Sequence, residues 1–212
     1  MKPILAWHCG TEKLGHDDGR RVRYGVRQRF RGGNEIVLCG CGMHASPDIL
    51  QSLHWSRGPF LRRVELSGKM IFTPDQICAE YRKPLWGFDA TSLLRRFARR
   101  CALDVAPLWG APEVVKHFLR TDKKQLWNAA GNAIHDADDA GNAGGTLERE
   151  SAREAAWMVW AAGDTWHLPV WEVVAEVLRL TQDMARPIQA KQRRRALAMI
   201  YREKRKQKGN LR

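Results

Sequence analysis

Acidic residues are nearly missing from one stretch of this chain, cysteines are few, and long apolar runs do not occur. After residue 185 the only acid is Glu203, set against eleven lysines and arginines. Residues 186–212 therefore carry a net +10, and the 185 residues before them share the remaining +3 of the total +13. A segment so poor in acids cannot neutralise itself. It calls for an acidic partner, most often nucleic acid. The five cysteines, Cys9, Cys39, Cys41, Cys78 and Cys101, are odd in number and irregularly spaced. That excludes a regular disulfide framework and fits reduced thiols, with Cys78 and Cys101 acting as small buried hydrophobes. No apolar run approaches the length of about 18 residues that a membrane-spanning helix needs. The opening residues Met1 to His8 turn polar too soon for a secretory signal, and the expected location is cytoplasmic.

The rest is ordinary globular material: 212 residues, 44% hydrophobic and 28% charged. Residues 1–88 read as β-rich, with strands expected over 4–8, 21–26, 35–38 and 60–66. Ser67-Gly68 then leads either to a bent continuation or to a hairpin over 69–72. Ser46 caps and Pro47 opens a short expected helix to Trp55. From Asp89 the apolar spacing turns helical: Leu93, Leu94, Phe97, Cys101 and Val105 share a face behind a cap at Asp89 or Thr91. Further helices are expected from Pro112, from Asp122 to Ala137, from Thr146 and from Pro169. Asp138 to Gly145 reads as a break, and a basic helix follows Pro187 to about Lys206. The expected class is α+β: a small N-terminal β-rich unit (1–88), a helical array (89–185) and a basic helical tail (186–212).

Chemistry concentrates in the box Leu38-Cys39-Gly40-Cys41-Gly42-Met43-His44-Ala45-Ser46-Pro47. Cys39, Cys41 and His44 are zinc-ligand types, but Cys-x-Cys-x-x-His lacks the second knuckle of a common zinc motif, and a glycine-rich turn is the preferred reading. Together with Trp7-His8-Cys9-Gly10-Thr11, the segment Gly42-Met43-His44-Ala45-Ser46 resembles the ADP-ribosyltransferase superfamily of the poly-ADP-ribose polymerase type. The resemblance implies NAD as cofactor. His8 would bond the adenosine ribose, Gly10 would offer backbone to the carboxamide, and Thr11 and Gly42 would complete the cofactor set. His44 would stand in for the stacking tyrosine, and Glu80 would be the carboxylate that polarises the ribose. Cys9 separates His8 from Gly10, a departure from that family's pattern.

A wider resemblance covers about residues 4–160. Ala6-Trp7, the box, Val64-Glu65-Leu66-Ser67-Gly68, Asp89-Ala90-Thr91, the run from Arg95 to Val105, and Leu108-Trp109 follow in the order of a family of phage and prophage proteins without an established activity. It implies a phage or prophage origin and expression inside a bacterium.

The basic helix is the strongest purely physical signal. Lys191, Arg193, Arg194, Arg195, Arg202, Lys204, Arg205, Lys206 and Lys208 are the expected nucleic-acid contacts. They form no base-reading pattern, so binding should be weakly specific. Nine tryptophans are many for this length. Trp127, Trp157, Trp160, Trp166 and Trp171 sit at core-like spacing, while Trp55 and Trp86 flank the β-rich unit and could line a groove. The expected function is that of an accessory protein binding nucleic acid, or a host nucleic-acid complex, through its basic helix. The alternatives are a divergent NAD-dependent ADP-ribosyltransferase and a non-catalytic inhibitor of a host defence or replication protein.

Overall fold

The first strand is covered on both faces, with Ala6, Trp7, Cys9 and Gly10 all buried. In the computed structural model, which describes residues 2–15, 18–29, 35–38, 40–141, 146–162, 169–182 and 186–209, strand β1 is Ile4–Gly10. It pairs antiparallel with β4 (Phe60–Phe72), placing Ile4 opposite Leu66, Ala6 opposite Val64 and His8 opposite Arg62. β4 pairs in turn with β5 (Ile77–Asp89) along its length. The outer edge of β5 is taken by β2 (Gln28–Arg29) and β3 (Met43–Ala45), all antiparallel.

One further pairing closes the sheet. Trp7 and Ser46 exchange backbone hydrogen bonds, each of 2.8 Å, joining the free edge of β1 to the chain leaving β3. The sheet thus curls into a small barrel in the order β1, β4, β5, β3, and back to β1. Closure satisfies an edge that would otherwise be exposed. The interior is filled by Ala6, Ala45, Val64, Leu66, Ile77 and Ala79, with Ile4 and Met70 against them. The small side chains at Ala6, Ala45 and Ala79 suit so narrow a bore.

The α+β class stands: among the described residues an antiparallel sheet of five strands accompanies seven α-helices. Several local expectations change. Residues 21–26 are not a strand; Arg21 makes a single bridge to Lys13 and the chain turns at Tyr24 and Gly25. Residues 35–38 are not a strand either, because Val37 N–H bonds to the Cys41 carbonyl at 2.7 Å and Gly40 N–H to that of Val37 at 3.1 Å, which makes a turn. Ser46 does not cap the first helix, since its backbone is committed to Trp7. Asp48 does so, its carboxylate accepting from Leu50 N–H at 3.0 Å at the start of α1 (Ile49–His54). Ser67-Gly68 marks a bulge inside one continuous β4, with Gly68 at φ 85°.

The chain divides into two compact units, one of Met1–Thr91 with Leu197–Arg212, the other of Ser92–Ala196. The second is helical. α2 (Thr91–Val105) begins after Asp89, whose carboxylate accepts from Thr91 N–H at 2.8 Å, and the five expected apolar positions are all buried. α3 (Glu113–Thr121) ends on Asp122, which is left-handed at φ 59°, so the next helix starts later than expected, as α4 (Trp127–Gly141). α5 (Leu147–Ala161) packs on α4 and on α6 (Val170–Gln182). Trp127 and Trp160 stack at 4.6 Å and exchange indole-to-carbonyl bonds of 3.2 and 2.9 Å. Trp166 lies outside the described residues.

α7 (Arg186–Gly209) is not a loose tail and makes no unit of its own. Gln192, Ala196 and Ile200 are buried on it, Ile200 completely. Replacing Ile200 by Ala should lower stability by roughly 2–4 kcal/mol in urea unfolding. A loss below about 0.5 kcal/mol, the range of exposed positions, would show that this part of α7 is not packed.

Candidate functional site

β1 ends at His8, Cys9 and Gly10, and the residues that follow bend away over the barrel mouth. Against them lie the end of the box, Gly42 to Ser46, the residues after α1, and Arg82 reaching in from β5. Together they line a pocket of about 300 Å3. Five residues singled out in the sequence, His8, Gly10, Thr11, Gly42 and His44, all belong to this lining. Trp55, expected at a groove, is there too, 48% exposed, with its indole N–H donating to Asp75 at 2.8 Å.

Glu80 is not brought to them. Its carboxylate accepts from Lys69 N–H at 3.4 Å and lies 3.8 Å from Arg29, outside the pocket lining. Among the described residues the lining holds no aspartate or glutamate. Zinc is not supported either. No group of three or more His, Cys, Asp or Glu able to hold a metal ion occurs among the described residues, and Cys39 lies outside them.

Two glycines are required by close packing. A Cβ on Gly10 would stand 2.8 Å from the His8 ring, so the imidazole folds back over a bare backbone. Gly42 has φ 145°, and a Cβ there would meet the Cys78 sulfur at 2.3 Å.

The electrostatics are unusual. Arg62 and Arg82 are 1% and 5% exposed. Arg62 donates to the carbonyls of Thr11 at 2.6 Å and Phe60 at 3.4 Å, and its buried Nε has no partner. Arg82 donates to the His44 carbonyl at 2.7 Å. Neither has a carboxylate partner among the described residues. Burial, with a smaller contribution from Arg62, pushes the Arg82 guanidinium down to about 9, so it stays charged at neutral pH. Burying an unpaired charge costs several kcal/mol. His8, whose Nδ1 is sealed from solvent without a partner, is held well below its ordinary value by burial and then by Arg82, Arg62 and His44. Cys9 donates its thiol to the Gly58 carbonyl at 3.2 Å, and burial pushes it up to about 11, so it is no nucleophile at neutral pH. The sequence does not single out Arg62 or Arg82. A basic residue on a strand looks solvent-facing until the register opposite His8 and Leu66 is known.

The cations of α7 fall into two groups. Lys191 and Arg195, expected to face nucleic acid, instead bind the buried carboxylate of Asp104 on α2, Lys191 at 2.7 Å and Arg195 through both terminal nitrogens. A carboxylate buried there needs such partners. In the C-terminal half, Lys204 sits 4.1 Å over the Trp86 ring, and Tyr201 packs edge-on against Trp7. Lys206 is 3.4 Å from Glu203. Arg194, Arg202 and Arg205 are exposed, as is Arg193; the side chain of Lys208 lies outside what is described.

His8 gives a signed pH dependence. Its folded value is depressed, so the unfolded chain takes up the proton first, and stability should fall as pH drops below about 6.5. His8→Gln removes that component. The wild type should lose more stability between pH 7 and pH 5 than the variant, as read by urea unfolding; equal losses would show that His8 is not buried neutral. No protein-family model matches the chain, and no curated protein or solved structure matches it, so the reading of these two regions rests on their geometry.

Proposed function

We propose that this chain is an accessory protein, of the phage or prophage kind that its box resembles, which binds nucleic acid through the exposed cationic side of α7. The observation that carries the reading is the combination of charge and packing on one helix. Ala198, Arg202 and Arg205 follow at spacings of four and three, which puts them on one side of the helix, and all three are exposed. Neither Arg202 nor Arg205 has an ion pair among the described residues. Arg194 adds a further exposed cation one turn before Ala198. The small side chain of Ala198 leaves room for a phosphate backbone to approach between the guanidinium groups. The buried positions on the other side hold the helix in place, so little ordering entropy remains to be lost on binding.

The alternative of NAD-dependent ADP-ribosyl transfer needs a carboxylate at the pocket, and the lining has none among the described residues. Nucleic-acid binding needs only what α7 already presents. Such binding is driven by release of counterions and carries little sequence information.

Removing α7 would take Ile200 and Gln192 from the core, so the test uses point substitutions in the full chain. Duplex DNA binding is measured across a salt series for the wild type, for the double variant Arg202→Gln/Arg205→Gln and for Lys191→Gln. The double variant should reduce the slope of log affinity against log salt by about 1.8, at about 0.9 for each phosphate no longer neutralised. Lys191→Gln, which touches Asp104, should leave the slope close to that of the wild type. Equal slopes for wild type and double variant would overturn the proposal.

A further inference from the structure

The β-rich unit holds positive charge where a structural protein would place hydrocarbon. His8 and Arg62 face each other across β1 and β4, one layer above Ala6 and Val64 in the barrel interior. Arg82 lies opposite Leu66 and so shares that inner face. Burial alone would favour Leu or Met at such positions, because an apolar side chain carries no desolvation penalty. Arg62 has a structural account, since it ties the Thr11 and Phe60 carbonyls together. Arg82 has much less of one. It carries five N–H donors, and the His44 carbonyl is the acceptor it reaches among the described residues.

The space in front of it is shaped for a ligand. Arg82, Lys13 and Arg57 all line the pocket, Lys13 and Arg57 being exposed, and no acid among the described residues does. Trp55 offers a flat aromatic face held by its bond to Asp75. A volume near 300 Å3 is at the small end of ligand sites, about the size of a mononucleotide. Buried guanidinium, exposed cations around it and an aromatic wall together match a phosphate ester attached to a planar group.

We infer that the barrel-mouth pocket binds a phosphate monoester of nucleotide size, with Arg82 as the buried anchor for the phosphate, Arg57 and Lys13 at the entrance and Trp55 as the stacking wall. The phosphate belongs either to a free nucleotide or to the phosphorylated end of a nucleic-acid strand. The assignment does not depend on α7 contacting nucleic acid.

Calorimetric titration of the full chain tests it, with inorganic phosphate, a nucleoside monophosphate, and a short single strand with or without a 5′-phosphate. The wild type should bind the monophosphate, and more weakly inorganic phosphate. Arg82→Met should weaken monophosphate binding about tenfold or more, the loss expected for a hydrogen bond to a charged group. Its melting temperature should stay level or rise, because an unpaired buried charge has been removed. Absence of binding by every phosphate compound, or Arg82→Met binding as the wild type does, would overturn the inference. Should Arg82→Met fail to fold, Arg57→Ala decides the matter, since that side chain is exposed. Several-fold weaker binding supports the site, and unchanged binding overturns it. Preference for the 5′-phosphorylated strand, retained in the Arg202→Gln/Arg205→Gln background, assigns the phosphate to a strand end. Binding of the monophosphate without such a preference assigns it to a free nucleotide.

Discussion

The pair of backbone hydrogen bonds between Trp7 and Ser46 is the constraint on which the β-rich unit depends. Without it β1 would be an open edge and the inner layer of Ala6, Ala45, Val64 and Leu66 would face solvent on one side. With it the sheet encloses a small interior in which Ala6, Ala45 and Ala79 leave room for Val64, Leu66 and Ile77. The same commitment removes Ser46 from helix capping, so Asp48 takes that role and α1 starts two residues later than the sequence implies. It also brings the end of the box beside the end of β1. His8, Gly10, Gly42 and His44, more than thirty residues apart in sequence, thereby line one pocket.

Charge in this chain does four different jobs. Lys191 and Arg195 are paired with Asp104, Arg195 half-buried and Lys191 largely exposed. Lys204 and Arg63 lie on the aromatic rings of Trp86 and Trp7, where a cation contributes through the ring face as well as through its aliphatic stem. Arg202 and Arg205 remain outward. A net charge of +13 therefore overstates what is available to a polyanion. Arg62 and Arg82 lie at the opposite extreme, buried with carbonyl oxygens and, for Arg62, the Phe60 ring as their partners among the described residues, a setting that carries a desolvation cost.

Much of the helical unit was legible from apolar spacing and caps. Leu93, Leu94, Phe97, Cys101 and Val105 are buried as their periodicity requires, and Thr146 and Pro169 stand at the starts of α5 and α6. The β-rich unit was less legible because its decisive pairings are non-local. The full length of β5 is hard to read through Pro84 and Gly87, which argue against a strand; a bulge opposite Arg63 and Val64 accommodates the proline. The alternation over 21–26 was misleading, since exposed residues in a loop can alternate by chance. Of the candidate site, the His8 and Gly42 regions could be found from composition. Arg62 and Arg82 could not, because nothing local marks a strand arginine as inward-facing. Glu80 fits the resemblance as an acid on a later strand, but the register sends it to Lys69 and Arg29 instead.

The composition of the two compact units sets an order of events during synthesis. The unit Ser92–Ala196 is continuous, so it can form as soon as its own residues have left the ribosome. The other combines Met1–Thr91 with Leu197–Arg212, and its ring pairing between Trp7 and Tyr201 spans nearly the whole chain. Such distant partners meet late and close large loops. The strands, all within residues 4–89, can pair beforehand, but the face that Tyr201 covers stays bare until translation has passed the helical unit.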